Sequence, residues 1–171
     1  MGARLLPRNL PELFSYSLVL EREATKRYAE LERFMRDAGL DPLADEFEKL
    51  GREEREQYEL IALGTSGRQL PELAGWELCW HFVGDSAGAK RAPRSPREAI
   101  AVALSFERGT QLFYADVAEN ARDDAVRAFA AEMANDEQRH VARLELLFER
   151  EPDPAAAEIE DTETSDGLPL A

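Results

Sequence analysis

The 171-residue sequence predicts an all-α protein, a four-helix bundle made of two antiparallel hairpins joined by a long crossover. Four long segments repeat apolar residues at helical spacing, and no stretch of useful length alternates between apolar and polar residues. Capping and helix-breaking residues mark the segment ends. Links of about four residues within each pair favour antiparallel hairpins, because so short a link brings consecutive helices side by side.

The first hairpin is expected to contain helices over about 10–37 and 42–63. Asn9 is a favoured N-cap residue for the first helix, and Gly39 ends that helix. Asp41 is the expected N-cap of the second helix, because the proline that follows it suits a first helical position.

The second hairpin is expected to contain helices over about 96–119 and 124–150. Ser95 is a favoured N-cap residue and precedes a proline, and Asn120 is a helix-breaking residue at the far end. Asp123 and the aspartate after it favour the start of the last helix, because negative charge is stabilised at a helix N-terminus.

Two further segments complete the chain. Residues 65–95, which are rich in proline and glycine, are long enough to run the length of the bundle, so residues 1–150 are expected to form one domain. The tail over 151–171 has seven acidic residues, three prolines and no basic residue, a composition typical of disorder. Alternatively, its last residues, SDGLPLA, are a docking peptide for a partner.

Composition excludes several classes of protein. With 21 basic and 35 acidic residues the net charge is −14, which argues against binding to nucleic acid or to an anionic membrane surface. A single cysteine excludes an internal disulfide and a CxxC pair. No apolar run reaches the roughly 20 residues that span a bilayer, and no signal peptide is evident. The expected location is cytoplasmic.

Each predicted helix carries a glutamate in the middle of its inward, otherwise largely apolar stripe. These glutamates are Glu21, Glu54, Glu107 and Glu137. Gln57 and His140 follow two of them by three residues, on the same helix face. Because buried carboxylates cost several kcal/mol unless compensated, four of them with an imidazole favour a metal site over a purely structural polar core. Oxygen ligands with one nitrogen suit iron or manganese, and four carboxylates neutralise two divalent ions.

The two hairpins also repeat each other. Tyr28 follows Glu21 by seven residues, and Tyr114 follows Glu107 by seven. This correspondence indicates a duplicated helical hairpin. Each tyrosine is expected either to form a hydrogen bond near the site or simply to pack in the core.

The pattern of candidate ligands resembles the di-iron carboxylate site of the ferritin-like superfamily, and the last two helices are most similar to rubrerythrins. The resemblance covers about residues 10–150 and rests on Glu21, Glu54 with Gln57, Glu107, and Glu137 with His140. It implies that Glu21 and Glu107 each bind one metal. It also implies that Glu54 and Glu137 bridge or flank two irons, and that His140 binds one of them.

Some positions depart from the family pattern. The family usually has histidine where Gln57 stands, so one metal position is expected to be asymmetric, weak or empty. Glu53 and Asp136, which precede ligand glutamates, occupy positions that orient ligands in the family, although either could equally form a surface ion pair. Arg55 stands where bacterioferritins have a haem-ligating methionine, so no haem is expected. No catalytic residue is expected beyond the metal ligands.

The resemblance implies a di-iron protein that oxidises Fe(II) with hydrogen peroxide or dioxygen, with manganese as an alternative metal. Because the chain has no CxxC-containing rubredoxin module, an external electron donor is expected, and the family implies a homodimer. One alternative is a ferroxidase that delivers iron to a storage compartment, its tail similar to encapsulin cargo signals. Another is a non-enzymatic scaffold with a degraded site.

Overall fold

The computed structural model of the protein describes residues 6–73 and 92–152. These residues form four helices and no strand, which confirms the all-α prediction. The helices are α1 (Leu10–Asp37), α2 (Asp41–Gly64), α3 (Pro96–Asn120) and α4 (Asp124–Arg150), each within one residue of its expected bounds. Most of the predicted crossover and of the acidic tail lies outside the described residues.

Helix starts follow the capping rules in three of four cases. The side chains of Asn9, Ser95 and Asp123 accept hydrogen bonds from backbone N–H groups in the first turns of α1, α3 and α4. The expected N-cap of α2 is wrong: Leu40 holds that position, and Asp41 is the first helical residue. Asp41 still lies in the first turn, where the helix dipole stabilises its negative charge.

The two hairpins are antiparallel pairs, α1 along α2 and α3 along α4, and α1 contacts both helices of the second hairpin. A close approach within the first hairpin depends on Gly51, since a Cβ atom there would lie 2.9 Å from Cβ of Tyr28. No described helix is long and apolar enough to cross a membrane.

The core is divided into two apolar clusters at opposite ends of the bundle. One surrounds the α1–α2 turn and includes Phe47 and Leu144, and the other surrounds the α3–α4 turn and includes Leu13 and Val126. Between them lies a layer of buried polar side chains. This division places the polar layer at mid-height, away from both ends of the bundle.

Candidate metal centre

Four side chains from three helices converge in the polar layer. One ligand atom from each lies within 4.8 Å of the others. The four are Glu54 of α2, Glu107 of α3, and Glu137 and His140 of α4. Their exposed fractions are 1%, 0%, 2% and 6%, respectively. The cluster therefore presents three carboxylates and one imidazole to a common point that is shielded from water.

The helical period places these groups inside the bundle. Along α4 the buried positions run Met133, Glu137, His140 and Leu144, with spacings of three or four residues that keep them on one face. The apolar residues at either end belong to the two core clusters. Packing of Met133 and Leu144 into the two core clusters therefore determines where Glu137 and His140 lie.

The facing atoms of the cluster lie close together without forming hydrogen bonds. Among the described residues, Oε1 of Glu54, Oε2 of Glu107, Oε2 of Glu137 and Nδ1 of His140 have no hydrogen-bond partner. Nδ1 of His140 lies 2.6 Å from the Glu54 oxygen, without hydrogen-bond geometry, and 3.7 and 3.9 Å from the Glu137 and Glu107 oxygens. An unpaired buried polar atom costs about 1–3 kcal/mol. A bound cation would satisfy all four atoms at once, so these residues fit a metal ion.

Burial and mutual repulsion shift the titration of these groups. Burial raises the pKa of Glu137 well above its ordinary value, and the charges of Glu54 and Glu107 raise it further. Burial also opposes charge on His140, but contacts with the three carboxylates outweigh it and raise the pKa of the imidazole. Without metal, therefore, the cluster retains protons, which a metal ion would displace because ligands bind it in deprotonated form.

The fifth candidate ligand, Glu21, lies at the edge of this group. It is 1% exposed but is not one of the four residues whose ligand atoms are mutually close. Burial raises the pKa of Glu21 well above its ordinary value, and the Glu54 charge beside it adds to that rise. Glu21 is thus a buried carboxylate beside the cluster, next to Glu54.

Both tyrosines of the sequence repeat donate hydrogen bonds to candidate ligands, and each bond crosses between the hairpins. The Tyr28 hydroxyl donates to Oε1 of Glu107, and the Tyr114 hydroxyl donates to Oε1 of Glu21 at 3.0 Å. The heptad spacing placed both tyrosines near the site but did not indicate that each would bond the glutamate of the other hairpin.

A crystal structure of an uncharacterised conserved protein from Magnetospirillum magnetotacticum shares this fold. Its TM-score is 0.74 at 25% sequence identity, over 85% of this chain and 97% of that chain. Neither a protein-family model nor a curated protein matches the sequence. The likeness thus supports the four-helix architecture, whereas the chemistry has to be argued from the side chains.

Gln57 and His140 occupy corresponding positions and make corresponding contacts. Nε2 of His140 lies 3.2 Å from Oε2 of Glu53, and Nε2 of Gln57 donates to Oδ2 of Asp136 at 2.9 Å. The structure therefore pairs each of the two orienting residues named from the sequence with the predicted ligand on the opposite helix. Because its amide N–H group is bonded to Asp136, Gln57 has only its carbonyl oxygen left to bind a metal.

A groove of about 510 Å³ lies beside the cluster, bordered mainly by α2 and α4. His140, Gln57 and Asp136 line it, together with apolar side chains such as Phe129 and exposed acids such as Glu56. No sequence pattern predicts this groove, because its shape depends on the separation of two helices. One wall residue, His140, also belongs to the cluster, so the groove reaches the candidate ligands.

Proposed function

We propose that this protein is a rubrerythrin-like di-iron protein that oxidises Fe(II) with hydrogen peroxide or dioxygen. The observation that carries the proposal is the convergence of four buried ligand atoms without hydrogen-bond partners among the described residues, namely three carboxylate oxygens and one imidazole nitrogen. Oxygen-rich sites with imidazole suit iron, and manganese is the alternative. The fold and the helix order of the ligands also agree with a ferritin-like site.

A pair of bound iron ions would supply two electrons to hydrogen peroxide, which with two protons yields two molecules of water. The first metal would be held by Glu54, Glu107, Glu137 and His140. The second metal would be held by Glu21, by the Gln57 carbonyl oxygen as its weakest ligand, and by Glu54 and Glu137, which would also bind the first metal.

The rest of the chain prepares the site for this chemistry. The Tyr28 hydroxyl holds one oxygen of Glu107, which leaves the other oxygen for a metal. The Tyr114 hydroxyl holds Oε1 of Glu21. The apolar clusters above and below exclude water, which strengthens electrostatic interactions within the layer. Because the sequence contains no CxxC pair, we further propose an external electron donor. From the family resemblance alone, we also propose a homodimer.

The test is an anaerobic Fe(II) titration followed by hydrogen peroxide, with near-ultraviolet absorption as the readout. We expect saturation near two irons per chain and a rapid rise in oxo-ferric absorption after peroxide. The Glu137→Gln variant should lose both, whereas Glu149→Gln, an exposed change on the same helix, should retain both. A wild-type protein that binds no iron would contradict the proposal.

A second candidate is a single-metal protein, which the environment of Gln57 favours. Its amide N–H points to Asp136, and Glu21 is not among the four mutually close ligands. Saturation near one iron per chain, with no peroxide-driven rise, would support this candidate and exclude the di-iron oxidase.

A further inference from the structure

Arg143 links α4 to α2 immediately beside the candidate metal centre. Its Nη1 donates to Oε1 of Glu53 at 3.0 Å. Its Nε and Nη2 donate to Oε2 of Glu46 at 3.0 and 2.8 Å. The other oxygen of Glu53 lies 3.2 Å from Nε2 of His140. A continuous chain of polar contacts therefore runs from Glu46 through Arg143 and Glu53 to the imidazole.

This chain bears on which imidazole nitrogen faces the metal. When one ring nitrogen donates its N–H to a carboxylate, the other nitrogen is left with its lone pair free for a metal. Here Nε2 of His140 faces Glu53, and Nδ1 faces the three carboxylates. The contact with Glu53 thus selects Nδ1 as the ligand atom.

Glu53 needs support to serve this role. Its side chain is 46% exposed, whereas that of His140 is 8% exposed. An exposed glutamate has several rotamers and gains rather little from one surface contact. Arg143 is 29% exposed and holds Glu53 from one side while the Glu46 carboxylate holds Arg143 from the other. The guanidinium fork suits this double contact.

We propose that Arg143 is a positioning residue of the metal centre, acting through Glu53 to hold His140 with Nδ1 directed at the carboxylates. The inference rests on the proposed function only in treating His140 as a metal ligand. Among the described contacts Arg143 reaches none of the four cluster residues directly, and its hydrogen bond to Glu53 is the contact that connects it to His140.

The opposite side of the site offers a matched control. Arg139 contacts Asp136, which accepts the hydrogen bond from Gln57. Arg139 is 76% exposed and pairs with an acid on its own helix, so it does not connect α4 to α2. Its removal should therefore leave the His140 position unchanged.

The test uses Co(II) as the probe, with the full chain, and measures affinity by chelator competition together with the visible spectrum. Arg143→Gln should weaken the first Co(II) by about ten- to hundredfold, the range typical when a residue that orients a ligand is lost. Arg143→Lys should restore part of that loss, and Arg139→Gln should bind as the wild type does. Combining Arg143→Gln with Glu53→Gln should weaken binding no more than Glu53→Gln alone, because both act on one path.

Two results would overturn the inference. One is a lower unfolding temperature of Arg143→Gln with unchanged Co(II) affinity and spectrum, which would make Arg143 merely a helix clamp. The other is additive losses from Arg143→Gln and Glu53→Gln. If the wild type binds no Co(II), the proposed function fails, and crystal structures of the metal-free proteins still decide on Arg143. The Arg143→Gln structure should show His140 displaced from Glu53, and an unmoved ring would contradict the inference.

Discussion

The site has two halves, one next to His140 and one next to Gln57, and the two have the same helical scaffold but different metal ligands. In the second hairpin His140 contacts Glu53 through one ring nitrogen and keeps the other for the carboxylates. In the first hairpin Gln57 makes the corresponding contact with Asp136 through its amide N–H group. An imidazole thus presents a nitrogen lone pair to the site after making its outer contact, whereas an amide retains only a carbonyl oxygen.

A single residue can thus divide a symmetric site into two unequal metal positions. The His140 half offers nitrogen plus carboxylates, which suits iron, and the Gln57 half offers oxygen donors only. The ligand atoms around His140 have already converged, whereas Glu21 is not one of the four mutually close residues. We expect the His140 half to bind metal first and more tightly.

The largest change in metal affinity should come from weakening the His140 half until both halves bind metal weakly. His140→Gln removes the nitrogen donor of the converged group and places an amide at both corresponding positions. We expect the affinity for the first Co(II) to fall by about a hundredfold or more, at the upper end for loss of a site residue. Chelator competition measures this change. Unchanged affinity would show that His140 is not a ligand.

The free energy of unfolding should depend on pH differently in the metal-free protein, whose cluster retains protons, and in the metal-bound protein. Folding raises the pKa of Glu21 and Glu137 above 4.5 and that of His140 above 6.5, so the folded metal-free protein binds more protons than the unfolded chain. Stability then falls as pH rises above about 4.5, and further above about 6.5. Glu107, whose pKa is lowered by its contacts despite burial, loses its contribution only as pH falls below about 4.5.

Thermal unfolding of the metal-free protein should therefore show a midpoint that decreases between about pH 5 and pH 8, by roughly 2–4 °C for each kcal/mol lost. Stabilisation by added metal should increase over the same interval, because metal displaces the retained protons. Glu137→Gln should flatten the metal-free profile. A midpoint that rises with pH in the wild type but not in this variant would contradict the assignment.

Strengthening the Gln57 half, so that both halves carry a histidine, should change metal affinity less. In Gln57→His the new imidazole is placed to donate to Asp136 and to direct its other nitrogen inward, as His140 does with Glu53. We expect the second metal ion to bind about tenfold more tightly. Gln138→His, the same substitution at an exposed position on α4, is the control. Equal effects of both variants would show that the added histidine acts outside the site.

The smallest effect should come from a packing difference between the hairpins. Gly51 of α2 corresponds to Ala134 of α4, and Gly51 lies against Tyr28, which donates a hydrogen bond to Glu107. Gly51→Ala should destabilise the protein by about 1 kcal/mol, because the new Cβ would overlap Tyr28. Gly64→Ala, where no atom lies within 4 Å, should be neutral or stabilising. Denaturant unfolding measures both, and a stabilising Gly51→Ala would contradict the close packing.

Periodicity alone predicted the helices and the buried glutamates, because a seven-residue repeat fixes which side chains share a face. Periodicity within one helix does not predict which side chains of different helices contact each other. The direction of the Gln57 amide depends on Asp136, which comes from another helix, and the tyrosine bonds cross between hairpins. Arg143 was missed because a long surface arginine has no pattern of its own, although its spacing of three from His140 places it on a neighbouring turn.

The cluster around His140 should hold the first metal ion. Crystals equilibrated anaerobically with about one equivalent of Fe(II) and measured at the iron absorption edge test it directly. We expect an anomalous peak at ligand distance from Nδ1 of His140 and from the oxygens of Glu54, Glu107 and Glu137. No peak there, or a first peak on the Gln57 side, would contradict it.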